Sequence, residues 1–296
     1  MATTSTLRPR IGPRRAARSR ARFDIRKIPA SLHLWHLTSL DAPTVAVVWT
    51  LAFAWAAHLR LPIWLPVVIA LAAWSAYIGD RLLDARNART PLRARHLFHW
   101  EHRRIFLPIA VAAALIGLAL VLHSMPSSAR GRNSFLAAAA LVYFTSVHSP
   151  WRVARPKLGL RLPKEFLVGV IFTLACATPT WARIPGHRLS LYAPIVIFIA
   201  LAWLNCHAIE AWESDTAVQR APIVRLAAIL AVSAALIAIV AASLHDPRSA
   251  ALLAAATLSA AMLAMLDRYR LALAPVTLRA AADLVLLVPA ALLAIR

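Results

Sequence analysis

The 296-residue sequence predicts an all-α protein, a polytopic membrane helical bundle of about nine transmembrane helices, and three observations lead there. Hydrophobic residues make up 60% of the chain and mean hydropathy is +0.66, more apolar surface than a soluble domain carries, so lipid must cover part of it. The apolar runs are rich in Ala and Leu and approach the roughly 20 helical residues that a bilayer core of about 30 Å requires. Glycines number only seven, and strands of alternating polarity are absent. The spanning elements therefore satisfy their backbone groups internally, as helices rather than as a barrel.

The first segment, residues 1–30, holds Arg8, Arg10, Arg14, Arg15, Arg18, Arg20, Arg22, Arg26 and Lys27 against a single acid, Asp24. Such a run is too charged to fold alone and reads as a disordered cytoplasmic tail, which sets topology and lies on anionic membrane lipids rather than on nucleic acid. Residues 31–296 form the transmembrane helical domain. Within it the expected spans are 38–59, 62–79, 104–122, 133–147, 164–182, 189–209, 222–244, 248–266 and 272–295, with eight spans as the alternative count because the fourth is short. Twenty-five basic residues fall on the side of the N-terminus and seven on the other. Loops rich in Lys and Arg resist translocation, so the N-terminus is expected in the cytoplasm, in a bacterial inner (cell) membrane.

Against this basic background the chain has only twelve acidic residues, and five of them sit at two helix ends. Asp80 and Asp84 follow the second span at a spacing that puts both on one helical face, where two carboxylates can share one Mg²⁺. Glu210, Glu213 and Asp215 follow the sixth span, with Cys206, Glu210 and Glu213 along one stripe and Asn205 and His207 beside them. Ionisable groups near lipid are costly, by roughly 2.5 to 3.5 kcal/mol each on insertion scales, so two such clusters on one side of the membrane suggest a shared site. The bland alternative pairs the first cluster with Arg81, Arg86 or Arg89 and gives the second to bundle-stabilising hydrogen bonds.

Other features read as structural. Cys176 and Cys206 lie in apolar spans without CxxC spacing and read as packing residues. His96, His99 and His102 recur every third residue, too far around a helix for all three to meet one ion, and read as an interfacial helix lying over the site. Arg279 and Asp283, one turn apart in the ninth span, read as neutralising one another. No Walker A, GxGxxG or GxSxG pattern supports nucleotide-driven transport, dinucleotide chemistry or serine hydrolysis.

Taken together, the two acidic helix ends in a nine-helix chain resemble the UbiA family of intramembrane prenyltransferases over most of residues 35–296. Asp80 and Asp84 fall on the last two acids of that family's Asn-Asp-x-x-Asp-x-x-x-Asp motif, with Ala76 and Tyr77 in place of its first two residues. In the second motif Asn205 and Glu213 match, while Cys206 and Ile209 replace acids and Glu210 is displaced by one. Tyr143, the run His148 to Arg152, Leu162 to Glu165, and Asp41-Ala42-Pro43 are further points of similarity. The resemblance implies Mg²⁺ held by Asp80, Asp84, Glu210 and Glu213 and a prenyl diphosphate contacted by Asn205, Arg152, Arg155 and Lys164. It implies transfer of the prenyl group to an aromatic or other lipophilic acceptor. With fewer acids than the family pattern, the alternative is a non-catalytic membrane protein of the same fold, serving lipid binding, transport or scaffolding.

The charge asymmetry makes a direct prediction: single cysteines introduced in the tail and in segment 81–103 are protected from a membrane-impermeant thiol reagent in intact cells. Labelling of either from outside would reverse the topology.

Overall fold

A computed structural model of the chain describes residues 30–87, 94–148, 164–184, 189–213 and 222–295. Among them there is no strand. Twelve helices follow one another: α1 Ala30–Leu37, α2 Asp41–Ala56, α3 Trp64–Asn87, α4 Ala94–Glu101, α5 Arg103–Ser124 and α6 Ser127–His148. The second half adds α7 Lys164–Trp181, α8 Leu189–Glu213, α9 Ile223–Ser243, α10 Pro247–Tyr269, α11 Pro275–Val285 and α12 Ala290–Leu293. The basic tail lies outside the described residues.

Five of these helices, α3, α5, α8, α9 and α10, are long and apolar enough to cross a membrane. A sixth crossing is formed if α1 and α2, bent by 90° at their junction, count as one broken span. The chain is an integral membrane protein. The remaining expected spans are helical but differ from a plain crossing for local reasons. Helix α7 has 18 residues and gives its first turn to Lys164 and Glu165. The expected ninth span is broken: α11 stops at Val285, four residues before Pro289, which has no N–H to extend a helical ladder, and only four residues are helical beyond it. The second span is longer than expected, since α3 continues past residue 79 to Asn87 and carries Asp80 and Asp84 on regular helix.

Helix α2 runs through the centre, packed on α3 and α7 and touching α8, α10 and α11. Its Trp49 lies flat on Phe198 of α8, ring centroids 3.6 Å apart, with Phe53 edge-on to the same ring. The Trp49 indole N–H donates to the carbonyl of Leu286 at 2.9 Å, where α11 has ended and its last carbonyls need partners. Burial of three aromatic rings plus this bond ties three helices at one point.

Three of the described helix junctions are closed without glycine. Ser39, His58 and His245 all take left-handed backbone angles, with φ of 60°, 55° and 60°. Each is followed by an amide that reaches back five residues, from Leu40 to Trp35, Leu59 to Ala54 and Asp246 to Ala241. These are Schellman-type ends, and the capping bonds offset the steric cost of the left-handed residue.

Glycine is used instead for close packing. A Cβ built on Gly169 of α7 would lie 2.8 Å from the backbone nitrogen of Trp203 on α8, a contact that only helix separation relieves. Gly169→Ala is therefore expected to destabilise the protein by about 1–3 kcal/mol, read as a lowered thermal midpoint in detergent or nanodiscs. An unchanged midpoint would mean that α7 and α8 are not held at this distance.

Candidate functional site

A cavity of about 440 Å³ opens between α2, α3, α7 and α8, with α4 and α11 contributing to its polar end. Its volume lies in the range of small-molecule sites. The walls are divided. Ile69, Ala72 and Ala73 of α3 and Val168, Ile171, Phe172 and Ala175 of α7 make an apolar chamber, while charged side chains gather at the other end. The small alanines leave the space, because i, i+3 and i+4 positions on α3 present methyl groups where the neighbouring layer has rings.

The residues singled out by sequence converge here. Asp80 and Asp84 from α3, Asn205, Glu210 and Glu213 from α8, and Lys164 from α7 all line this one cavity. Arg152, Arg155 and Asp215 lie outside the described residues. Asp80 and Asp84 occupy the same face of α3, and His96 of α4 approaches Asp84 at 3.7 Å. Glu210 and Lys164 are exposed. Glu213 is differently placed: the Arg279 guanidinium donates to it at 2.7 Å and the Arg95 guanidinium lies at 3.8 Å on its other oxygen. Helix α4 thus stands over the acidic end, as the histidine spacing suggested.

The pairing expected between Arg279 and Asp283 is not formed. Although one helical turn separates them, Arg279 crosses to Glu213, while Asp283 accepts from the Asn205 amide at 3.3 Å. Arg279 gains a 2.7 Å charge-assisted bond to a partly buried carboxylate by crossing to α8, and Asp283 gains the Asn205 amide in its place.

Three residues carry electrostatic weight that sequence reading did not give them. Asp41, noticed only as part of a lead-in segment, is buried and accepts from His36 Nδ1 at 2.8 Å and from the Ala42 N–H at 2.9 Å. Arg81 does not serve its neighbour in sequence alone: it is 3% exposed, its guanidinium lies 4.0 Å from Asp41, and its Nη1 has no hydrogen-bond partner. His36 lies 3.9 Å from Asp283. The only advance signal was the cost of keeping Asp41 and Arg81 beside apolar helix, because partners from distant helices leave no local spacing.

Outside the spans, His99 of α4 is fully buried and fixes the corner between α1 and α2. Its Nδ1–H donates to the Arg95 carbonyl at 2.8 Å, which leaves Nε2, 3.2 Å from the Ser39 hydroxyl, to accept from it when the ring is neutral. Burial foremost, with Arg81 and His96 adding repulsion, pushes its pKa down to about 4 from the usual 6.5, against the pull of the Arg95 carbonyl and Asp41.

No family model, curated protein or solved structure matches the chain.

As the folded pKa of His99 is below its unfolded value, its contribution to stability is complete above about pH 6.5 and is lost as pH falls towards 4. Amide protection factors across residues 94–101, corrected for the pH dependence of intrinsic exchange, should fall over that window, and His99→Gln should flatten the dependence. An equally steep profile in the variant would assign the effect to other groups.

Proposed function

We propose that this chain is an intramembrane prenyltransferase of the UbiA type, which moves a prenyl group from a prenyl diphosphate to a lipophilic acceptor. One observation carries the reading: the acidic ends of α3 and α8, far apart in sequence, line a single cavity whose other half is apolar. A prenyl diphosphate has the same division, a polyanionic head and a hydrocarbon tail. Lys164, exposed at the start of α7, and Arg95 supply cationic groups for diphosphate oxygens at the polar end.

The donor set suits Mg²⁺ on one side of the cavity. Asp80 and Asp84 offer hard oxygens from one helical face, and Mg²⁺ takes one or two carboxylates plus water and phosphate oxygens. Glu213, already paired with Arg279, is less suited to the ion, and Glu210 remains as an exposed third carboxylate. When bound, Mg²⁺ would offset the negative charge that develops on the departing diphosphate. The chain itself brings the allylic carbon into the apolar chamber, where Phe172 and the alanine walls keep water from the cation formed as the C–O bond breaks. The acceptor then attacks that carbon and loses a proton.

The same reading puts nine spans in a bacterial inner membrane, the last of them broken between α11 and α12, with the N-terminus and both acidic clusters on the cytoplasmic side where soluble diphosphates are made. The basic tail then rests on anionic lipid, and nucleic acid is not among the partners. The pairing of Glu213 with Arg279 and Arg95 favours one rival, a protein that binds such amphiphiles without turning them over.

Binding and turnover of radiolabelled prenyl diphosphates by protein in nanodiscs, with lipid-extract acceptors and with or without Mg²⁺, separates the two. Asp80→Asn and Asp84→Asn are each expected to lower Mg²⁺-dependent binding by about tenfold or more, while Glu101→Gln, an exposed control on α4, leaves it unchanged. Binding without product selects the non-catalytic reading, and equal binding in both variants and the parent removes the shared site.

A further inference from the structure

Behind the acidic helix ends the cavity meets a second polar cluster, contributed by helices at opposite ends of the sequence. His36 of α1, Asp41 of α2 and Asp283 of α11 each place one ligand atom within 4.8 Å of the others. His36 Nδ1 lies 2.8 Å from Asp41 Oδ2 and 3.9 Å from Asp283 Oδ2. Asp41 and Asp283 line the cavity, whereas His36 stands behind them, 2% exposed. The Asp283 side chain keeps 18% of its surface open, and its Oδ1 is held by the Asn205 amide. Asn205 is itself 4% exposed, and its own Oδ1 has no hydrogen-bond partner.

Charge decides what this cluster holds. Two carboxylates face one guanidinium, Arg81, which leaves one negative charge in a buried setting where an uncompensated ion is strongly disfavoured. A single proton distributed over His36, Asp41 and Asp283 brings the group to neutrality, whereas a divalent cation would leave it positive. The other groups facing Asp283 do not alter the count: Tyr77 of α3 and Cys206 of α8 are neutral partners, and Arg279 on its own helix is taken by Glu213.

We propose that His36, Asp41 and Asp283 form a proton relay in which Asp283 takes the proton that the acceptor gives up in the cavity. This rests on the prenyl-transfer reading. In the step, the allylic C–O bond breaks with its electron pair going to the diphosphate, and a bond forms between the allylic carbon and the acceptor. The acceptor's proton passes to the Asp283 carboxylate, and Asp283, which lines the cavity with 18% of its side chain open, hands it on to the departing diphosphate while the proton shared by His36 and Asp41 stays in place. The cluster is neutral before and after. Asp41 is a positioning residue: it accepts from both His36 and the Ala42 N–H, which fixes the imidazole between the two carboxylates.

The test uses the full chain in nanodiscs, first by pH-difference infrared spectroscopy and metal analysis, then by prenyl diphosphate binding and turnover. The parent is expected to show a carboxylic-acid band that exchanges with an imidazole signal, absent in Asp283→Asn and retained in Asp283→Glu. Asp283→Asn should bind prenyl diphosphate as the parent does and form product about 100-fold more slowly or worse. Asp283→Glu should recover part of the rate, and His36→Gln should displace the pH-rate profile. Identical infrared spectra for parent and Asp283→Asn, or a stoichiometric metal lost in that variant, would overturn the relay. A parent that binds no prenyl diphosphate overturns the transferase reading and the acceptor step with it. A parent that binds and turns over, with Asp283→Asn equally fast, overturns the relay alone.

Discussion

Charge inside an apolar bundle has to be answered by charge, and in this protein the answers come from other helices. Arg279 of α11 holds Glu213 of α8, Arg95 of α4 reaches the same carboxylate, and Arg81 of α3 and His36 of α1 attend Asp41 of α2. Apolar contact between helices rich in Ala and Leu is non-directional and tolerates sliding. These pairs do not, because a shift of one turn would strand a charge where solvent cannot compensate it. Helices that lipid and packing alone would leave free to rotate are thereby given a fixed face and depth.

The cavity is a consequence of where bulk has been placed. Trp49, Phe53 and Phe198 fill one layer of the bundle to interior density, and the Gly169 contact draws α7 hard against α8. In the adjoining layer Ala72, Ala73, Ala76 and Ala175 contribute only methyl groups, and the space they leave runs to the charged helix ends. One wall is thus held apart while its neighbours are clamped together.

How far the sequence discloses this arrangement depends on the range of the physics involved. Helix positions were legible because hydropathy acts over about 20 residues at a time, and the runs that became α3, α5, α8, α9 and α10 carry that signal unbroken. The convergence of Asp80, Asp84, Asn205, Glu210, Glu213 and Lys164 on one cavity was legible as well, because acids retained at two apolar helix ends call for a common cause. The break after Val285 was obscured by the continuous apolarity of residues 284–295, which averages over Pro289. Partner choice was beyond reach. Arg279 and Asp283 have the one-turn spacing of a pair, and the approach of Glu213 and Asn205 from α8 separates them. His36 carried no signal at all, since a histidine gains meaning only from what the fold brings beside it.

The three helix corners built on Ser39, His58 and His245 bear on how the protein behaves once it leaves its membrane. A left-handed residue with a side chain is under steric tension, and here the tension is held by backbone hydrogen bonds at helix ends. Such bonds are strongest where water is scarce and cheapest to exchange where it is plentiful. Extraction into a thin or wet micelle therefore weakens the restraint while leaving the tension in place. A corner that is taut in lipid becomes a spring in detergent, and the 90° turn at Ser39, which sets α1 and its His36 against the bundle, is the one whose relaxation would reach the cavity.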